Sequence, residues 1–598
     1  MSPPPSSVQA RPHTRRQIAA QQGRVPAPRQ RATGRPRSRW VWFAVGLIAV
    51  IALALSCWVA LRALVVKNEL EGAQRSIAEI QDGADLSATI AALDSHAAAA
   101  SSAAGDPIWR AFEFIPVIGD NLTAVRLAAD AVSELSTRLA VPVVAAITSS
   151  EGSPLAGVLP VLESAGPILL GVSESFVGIR SSPWLVGPVR AGVDQIDQVI
   201  AAASPVVDLV PTMLGADGPR NYLLVFQNNA ESLPLGGSAA SQTLISADGG
   251  DLTIVKQASS ASYLNGTAVD IPVDQSALDL YSSFLVDHAN TSTSRPDFPT
   301  AAQILRAFWQ RDVDPGAVDA VVSVDPIALA RILLATGPVQ VGDVELTSEN
   351  AVSILLSDVY RWWNPYDGIE AAEASDAFFA TVAQTVFSRI SSGDFSLKDM
   401  AWAVQESIDQ GDIMLWSDDP AIAQLTDGHR VSGVLPTVNT DATTVGVFFR
   451  DTSASKIDYY MKSAIDLSAV CEAANATFTA TAALHLDITQ EAADTLPTYV
   501  QSAHWGSTLF RTEVFVYGPP GTEFVSASVA DGSDARPMRT DIDDLGRPVA
   551  SFETFIRPGG AAEVSAVFSG AGEFGPLALR STPMVQPTGV SIGDGCAG

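Results

Sequence analysis

The feature that most constrains this chain is the run from Trp40 to Leu61, 22 residues without a charge. As a helix rising about 1.5 Å per residue it can cross a hydrocarbon core of roughly 30 Å. Trp40, Trp42 and Trp58 stand towards its ends, where indoles favour the membrane interface. Residues 1–39 hold nine arginines and no acid, which keeps the N-terminus cytoplasmic and places everything after Arg62 outside. The apolar run is longer than the core of a signal peptide. A lipoprotein reading through Cys57 fits poorly, because Ala54 stands three residues before it and apolar sequence continues past it. One uncleaved, single-pass anchor is the expectation.

Charge separates the tail from the body. The chain carries a net charge of −29, yet the tail is wholly basic, leaving 27 basic against 65 acidic side chains beyond it. That balance argues against a nucleic-acid partner for the body, since phosphate binding needs a cationic face. Three cysteines exclude a disulfide-dense scaffold. Cys471 and Cys596 both fall on the outer, oxidising side and are expected to pair, closing about 125 residues.

At 598 residues the chain needs several domains, mixing α and β. Residues 1–39 are rich in Pro, Arg and Gln and read as a disordered tail. Residues 62–213 are Ala-rich and read as a helical membrane-proximal stalk or bundle, with a bundle lying on the membrane surface as the alternative. Within it, 67–104 form one long helix, and Asp120 or Asn121 caps the next. Pro154, Pro160, Pro167, Pro183 and Pro188 punctuate further helices. Residues 218–430 alternate strands and helices, an α/β pattern. Strands are predicted at 222–226, 242–246, 252–257 and 318–324, with the Ala-Asp-Gly-Gly at 247–250 as a hairpin turn. Helices are predicted at 274–288, 299–311, 326–336, 347–360, 370–391 and 396–410. Residues 440–570 carry strands spaced as in a β-sandwich, and 571–598 form a C-terminal tail.

The candidate site is the stretch from Arg220 to Gly237, RNYLLVFQNNAESLPLGG. A buried strand over 222–226 stops in Gln227, Asn228 and Asn229, followed by Glu231, Gly236 and Gly237. Open α/β sheets bind ligands at such strand ends. Asn offers both donors and an acceptor, which suits hydroxyl-rich sugars or a phosphate edge, and the glycines would let backbone N–H groups approach. Arg220, Arg295 and Arg361 are the cations that would have to converge there for an anionic ligand. The alternative is a self-bonded loop that closes the fold. Tyr360-Arg361-Trp362-Trp363 reads as an aromatic corner or a headgroup platform, and the Lys456-Ile-Asp-Tyr-Tyr segment as a strand or edge.

Catalytic motifs are missing. There is no Walker loop, H-E-x-x-H, C-x-x-C or G-x-S-x-G, and the six histidines are scattered without metal-ligand spacing. Gly570–Gly575 match G-x-G-x-x-G, but no helix is predicted after them, so they read as a loop. No metal and no cofactor is implied.

NYLLVFQNNAE with its glycine pair, VDAVVSVDPIALARILLATGPV, KIDYYMKSAID and LPTYV occur in this order. Together with the membrane-proximal PIWRAFEFIPVIGDNLTAVR they resemble the bacterial family catalogued as domain of unknown function 4012, over roughly residues 60–570. That family's Thr-Gly-Gly-Phe loop stands here as Leu235-Gly-Gly-Ser238. A more distant similarity is to the LytR-CpsA-Psr phosphotransferases, which attach lipid-diphosphate-linked polymers to the cell wall using acidic residues and arginines. Amides stand near the first of those acidic positions, and Arg361 near a helix-end arginine. The leading expectation is a membrane-anchored extracytoplasmic envelope protein that binds a polymer, lipid head group or protein partner. The alternatives are a phosphotransferase on lipid-linked envelope polymers and a purely structural envelope protein.

Overall fold

A computed structural model describes residues 37–81, 85–148, 153–363, 368–472, 475–593 and 595–596. Most of the basic tail, residues 1–36, lies outside the described residues, and Arg37 already opens a helix. The chain divides into two compact units, Met1–Leu61 and Arg62–Gly598. Helix α1, Arg37–Gln81, carries the apolar run without interruption. Among the described residues four helical segments are long and apolar enough to cross a membrane: Trp42–Ile80, Ile118–Thr148, Pro154–Arg180 and Gly187–Met213. The expected anchor is thus one of four segments that qualify by length and composition.

The long helix expected over 67–104 is two helices. Helix α2, Leu86–Ala104, runs back along α1: His96 meets Glu69 at 2.7 Å, Ile90 and Leu93 pack on Ala73, and Asp106 pairs with Arg62 at 3.3 Å. The Asp85 carboxylate caps α2 by accepting from the Ala88 N–H at 2.7 Å. Helices α3, Ile118–Leu135, α4, Val141–Thr148, α5, Pro154–Ser175, and α6, Gly187–Met213, complete the bundle. The expected cap of α3 is corrected: Val117 takes that position without a side-chain bond, and Asp120 and Asn121 lie in the first turn, bonded to the 182–186 loop. Pro154 and Pro188 start helices, whereas Pro160 and Pro167 lie inside α5. Leu169, Val172, Phe176, Val193 and Ile200 form the bundle core.

Beyond α6 the chain enters a five-stranded sheet. Its strands are β1, Arg220–Leu233, β2, Gly236–Asp248, β3, Asp251–Ser259, β4, Ala320–Val324, and β5, Ile413–Ser417, in the order β3-β2-β1-β4-β5. β1 is parallel to β4 and antiparallel to β2, and β4 is antiparallel to β5. Gly249 and Gly250 supply the positive φ values of the expected hairpin turn. β1 does not stop at Phe226. It continues through the amides to Leu233 with register shifts after Phe226 and after Asn228, because β2 keeps pairing with it. The 299–311 helix is α7, Phe298–Asp312, and that over 326–336 is α8, Pro326–Thr336. The 274–288 helix is split into Gln275–Tyr281 and Phe284–Asp287 by Ser282, whose φ of 65° cannot continue an α-helix. β5 escaped the sequence reading because five residues after a helix carry little periodicity.

Residues 443–592 form the sandwich. One sheet holds β6, Thr443–Asp451, β9, Phe510–Tyr517, β11, Ala535–Pro537, β13, Arg547–Ile556, and β15, Leu577–Ser581, with β12, Ile542–Asp544, beside β13. The other holds β7, Met461–Glu472, β8, Asn475–Leu486, β10, Glu523–Val529, β14, Ala561–Ala571, and β16, Gly589–Ile592. The C-terminal residues are therefore not a loose tail: β15 and β16 pair in parallel with β6 and β7. Cys596 is disulfide-bonded to Cys471 of β7, with Cα atoms 5.6 Å apart. No helix follows Gly570–Gly575. The α/β layer and the sandwich share one core, in which Leu223, Val225, Phe308 and Trp309 join Phe448, Phe515 and Tyr517.

Candidate functional site

The amides of β1 lie at the carboxyl end of the parallel pair, where Phe226 faces Val324, and all three are buried. Their side chains turn inward. Gln227 Oε1 accepts from the Gly237 N–H at 2.8 Å, closing the β1–β2 hairpin. Asn228 Nδ2 donates to the Tyr360 hydroxyl at 2.8 Å, and its Oδ1 accepts from the Ala230 N–H at 3.1 Å. Asn229 Nδ2 donates to Asp325 Oδ2 at 2.8 Å and to the Pro583 carbonyl at 3.1 Å. A cavity of about 60 Å³ adjoins Gln227 and Asn228, walled mainly by Leu329, Leu355, Leu356 and Phe379.

The four sequence motifs meet at this point. Lys456 forms an ion pair with Glu231 and lies 5.2 Å from the centre of the Tyr360 ring. Asp458 accepts from both the N–H and the hydroxyl of Ser232, and the Tyr499 hydroxyl donates to the Tyr360 carbonyl at 2.6 Å. The Lys456-Ile-Asp-Tyr-Tyr segment is accordingly a buried 3-10 turn, Ile457–Tyr460, docked on β1 rather than a strand. Burial and the nearby Asp451 carboxylate push Asp458 up to about 8. Sequence reasoning missed the second half of the junction. Asp325 caps α8 by accepting from Ile327 and Ala328 N–H groups, and burial with the adjacent Asp412 raises it well above the ordinary carboxylate range. Arg331 is paired with Asp412. The only signal for Asp325 was its place at a strand end before proline, which reads equally well as a cap.

The candidate cations do not join the amides. Arg220 opens β1 and faces Asp319 at 3.6 Å; at about 3.3 Å per residue its Cα lies roughly 23 Å from that of Gln227. Arg295 is buried among Asp544, Asp274 and Asp297, its Nη2 2.7 Å from both Asp544 Oδ1 and Asp274 Oδ2. Arg361 donates to the Tyr460 hydroxyl at 2.5 Å. Gly236 has a φ of 128°, and a Cβ on Gly237 would meet the Asn228 backbone at 2.1 Å. The glycine pair thus serves the tight hairpin.

Of the sequence candidates, Glu231 reaches a large opening. The side of the junction that it faces is a cleft of about 700 Å³ between the α/β layer and the sandwich. Glu231 and Ser238 form one wall, His288, Asn290 and Thr291 a second, and Arg450, Asp451, Tyr499, His504 and Arg511 the third. Ser238 donates to Glu231 at 2.5 Å, Arg511 Nε donates to Thr452 at 2.7 Å, and Arg450 faces Glu513 at 3.4 Å. Burial pushes Glu513 and Asp451 above the usual carboxylate range. Two non-glycine residues with positive φ, Ser282 and Ala454, both line this cleft. Such strained positions concentrate where backbone geometry is tied to a ligand. The Oδ1 of Asn290, also on the wall, is buried and takes no hydrogen bond.

Carboxylates, guanidinium groups, hydroxyls and a tyrosine edge face one space with the apolar Leu233, Leu280, Phe284 and Met538, and the polar groups supply the donor and acceptor mixture that a hydroxyl-bearing ligand satisfies. Among the described residues no histidine side chain is hydrogen-bonded to a hydroxyl, and no group of three His, Cys, Asp or Glu is arranged to hold a metal ion.

Residues 217–360 match the model of a family described as Protein of unknown function (DUF4012), so the family resemblance read from the sequence is borne out over that stretch. It covers the sheet from β1 to β4, the amides, Asp325 and Tyr360. No curated protein and no solved structure matches the chain.

Proposed function

We propose that this chain is a single-pass, membrane-anchored protein of the cell envelope that binds a hydroxyl-rich envelope polymer in the cleft between its α/β layer and its sandwich. The observation that carries the reading is the cleft itself: about 700 Å³, lined by charged and hydroxyl side chains together with Leu233, Leu280, Phe284 and Met538, with the unpaired Asn290 Oδ1 and two strained backbone positions on its surface. The Cys471–Cys596 bond supports an extracytoplasmic body, since such bonds persist in oxidising compartments. The uncharged 40–61 run supports one span. The other three apolar segments carry residues of the ion pairs Arg126–Glu113 and Arg180–Asp197 and bury more of their surface within the bundle. An amide junction locked by Tyr360, Asp325 and Pro583 serves in this reading as the hinge pin that fixes the two walls.

The test is co-sedimentation of the detergent-solubilised full chain with insoluble polysaccharide from the host envelope. Asn290→Ala is expected to weaken retention about tenfold with the melting temperature unchanged, because it removes polar groups from the wall without breaking an Oδ1 bond. Equal retention of wild type and variant, or none by wild type, would sink the reading.

A further inference from the structure

The end of the helical bundle that carries Asp106 presents apolar side chains to solvent. Phe114 is 88% exposed and Trp184 54%, and Ile115, Val117, Ile118, Val177 and Val186 are exposed with them. Phe114 to Ile118 and Trp184 to Val186 are two loops fastened to each other. Asn121 Nδ2 donates to the carbonyls of Val117 at 3.0 Å and Trp184 at 2.9 Å, and its Oδ1 accepts from the Val186 N–H at 2.9 Å. Ser182 donates to Asp120 at 2.5 Å. Val117 holds a φ of 74°, a region that β-branched residues avoid, while its side chain stays exposed. Strain without compensating burial, beside a contiguous apolar patch, marks a surface that is covered by something else.

Three observations identify what covers it. The first is position. Arg62 directly follows the uncharged run and pairs with Asp106 at 3.3 Å, and a single six-residue helix, Pro107–Phe112, rising about 9 Å, separates Asp106 from the first loop. The second is composition: Phe-Ile-Pro-Val-Ile at 114–118 and a tryptophan on the neighbouring loop are the residues that favour the boundary between head groups and acyl chains. The third is charge. Glu113 is tied to Arg126 at 2.7 Å, Arg180 to Asp197 at 2.8 Å and Arg190 to the Ser182 carbonyl at 2.6 Å, so these charged neighbours are engaged within the bundle. The exposed Arg110 has the sign that anionic head groups attract.

We infer that this end of the bundle is a membrane-docking surface whose partner is the lipid bilayer, with Phe114, Trp184 and Val186 entering its interface. The inference rests on the reading that residues 40–61 cross that bilayer. Docking at two loops would fix the bundle on the membrane instead of leaving it tethered by one helix.

The experiment uses the full chain reconstituted into vesicles of phosphatidylcholine and phosphatidylglycerol. In a Cys57→Ser background, Phe114→Cys, Trp184→Cys and the sandwich control Val525→Cys each carry an environment-sensitive fluorophore; the control site is 54% exposed on β10. Lipid-attached nitroxides are expected to quench the first two labels, and aqueous iodide to quench them at least fivefold less than the control. Iodide quenching of all three alike, with no quenching by the lipid nitroxide, overturns the docking surface. A label on Cys57 of the unmutated chain, attached in detergent before reconstitution, separates the two readings. If it is quenched from the lipid while the loop labels are not, the anchor stands and docking fails; if it is not, both fail.

Discussion

Asn228 and Asn229 behave as internal struts. Tyr360 and Asp325 are buried, and each takes a donor from one of these amides. Removing a partner from a buried polar group costs about 1–3 kcal/mol. Asn229→Ala and Asn228→Ala are each expected to lower stability by that amount in urea denaturation, with a fall in melting temperature. An unchanged melting temperature in the double variant would restore the amides to a ligand-binding role. Asp458 adds a pH dependence. Its carboxyl, pushed up to about 8 by burial and Asp451, stays protonated in the folded chain, whereas an unfolded aspartate titrates near about 3.9. The folded state therefore binds the extra proton between those values. Its stabilising contribution is complete below the unfolded value and is lost as pH rises through about 8. The urea midpoint should fall between pH 5 and pH 8, and Asp458→Asn should flatten that slope. A slope unaltered by the substitution would show that another group sets it.

Among the elements, β15 and β16 hold the C-terminus on the two sheets, and the disulfide joins the residues beyond β16 to β7. The bond closes a loop of 125 residues, for which chain entropy alone gives on the order of 5 kcal/mol at most. Cys596→Ser is expected to cost about 2–4 kcal/mol in chemical denaturation. Alkylation of the unreduced, unfolded chain should label one cysteine, Cys57, and all three after reduction. Three labels without reduction would remove the bond and one support for an extracytoplasmic body. β1 shows why an element can be recognised and still be misjudged. Its apolar half, Tyr222–Phe226, is visible in the sequence, but its polar half stays in strand conformation only because β2 pairs with it and Tyr360, Asp325 and Asp458 absorb its side chains.

At the scale of the whole molecule, the proposed topology predicts that protease added to intact cells releases the body from about residue 67 onward, while a tag at residue 1 stays protected. Digestion of that tag with survival of the body would reverse the orientation. The α/β layer and the sandwich should come away in one piece, since Leu223, Phe308, Phe448 and Phe515 share one core. Limited proteolysis that separates the α/β layer from the sandwich would contradict that core.

By itself the sequence determined whatever depends on neighbours along the chain. The uncharged run, the helical composition up to Met213, the hairpin at Gly249-Gly250 and most sandwich strands follow from local periodicity and turn chemistry. It also held the family motifs over residues 217–360. Tertiary structure alone decided which motif met which. Asn229 and Asp325 are 96 residues apart in the chain, Asn228 and Tyr360 132, and Ser232 and Asp458 226, so no spacing rule could join them. Nor could it reveal that the conspicuous amides would be enclosed while Glu231, two residues further on, would line the cleft. The physical reason is that an amide states only its capacity to donate and accept. Whether that capacity is spent on the protein or kept for a ligand depends on the groups that folding brings opposite it.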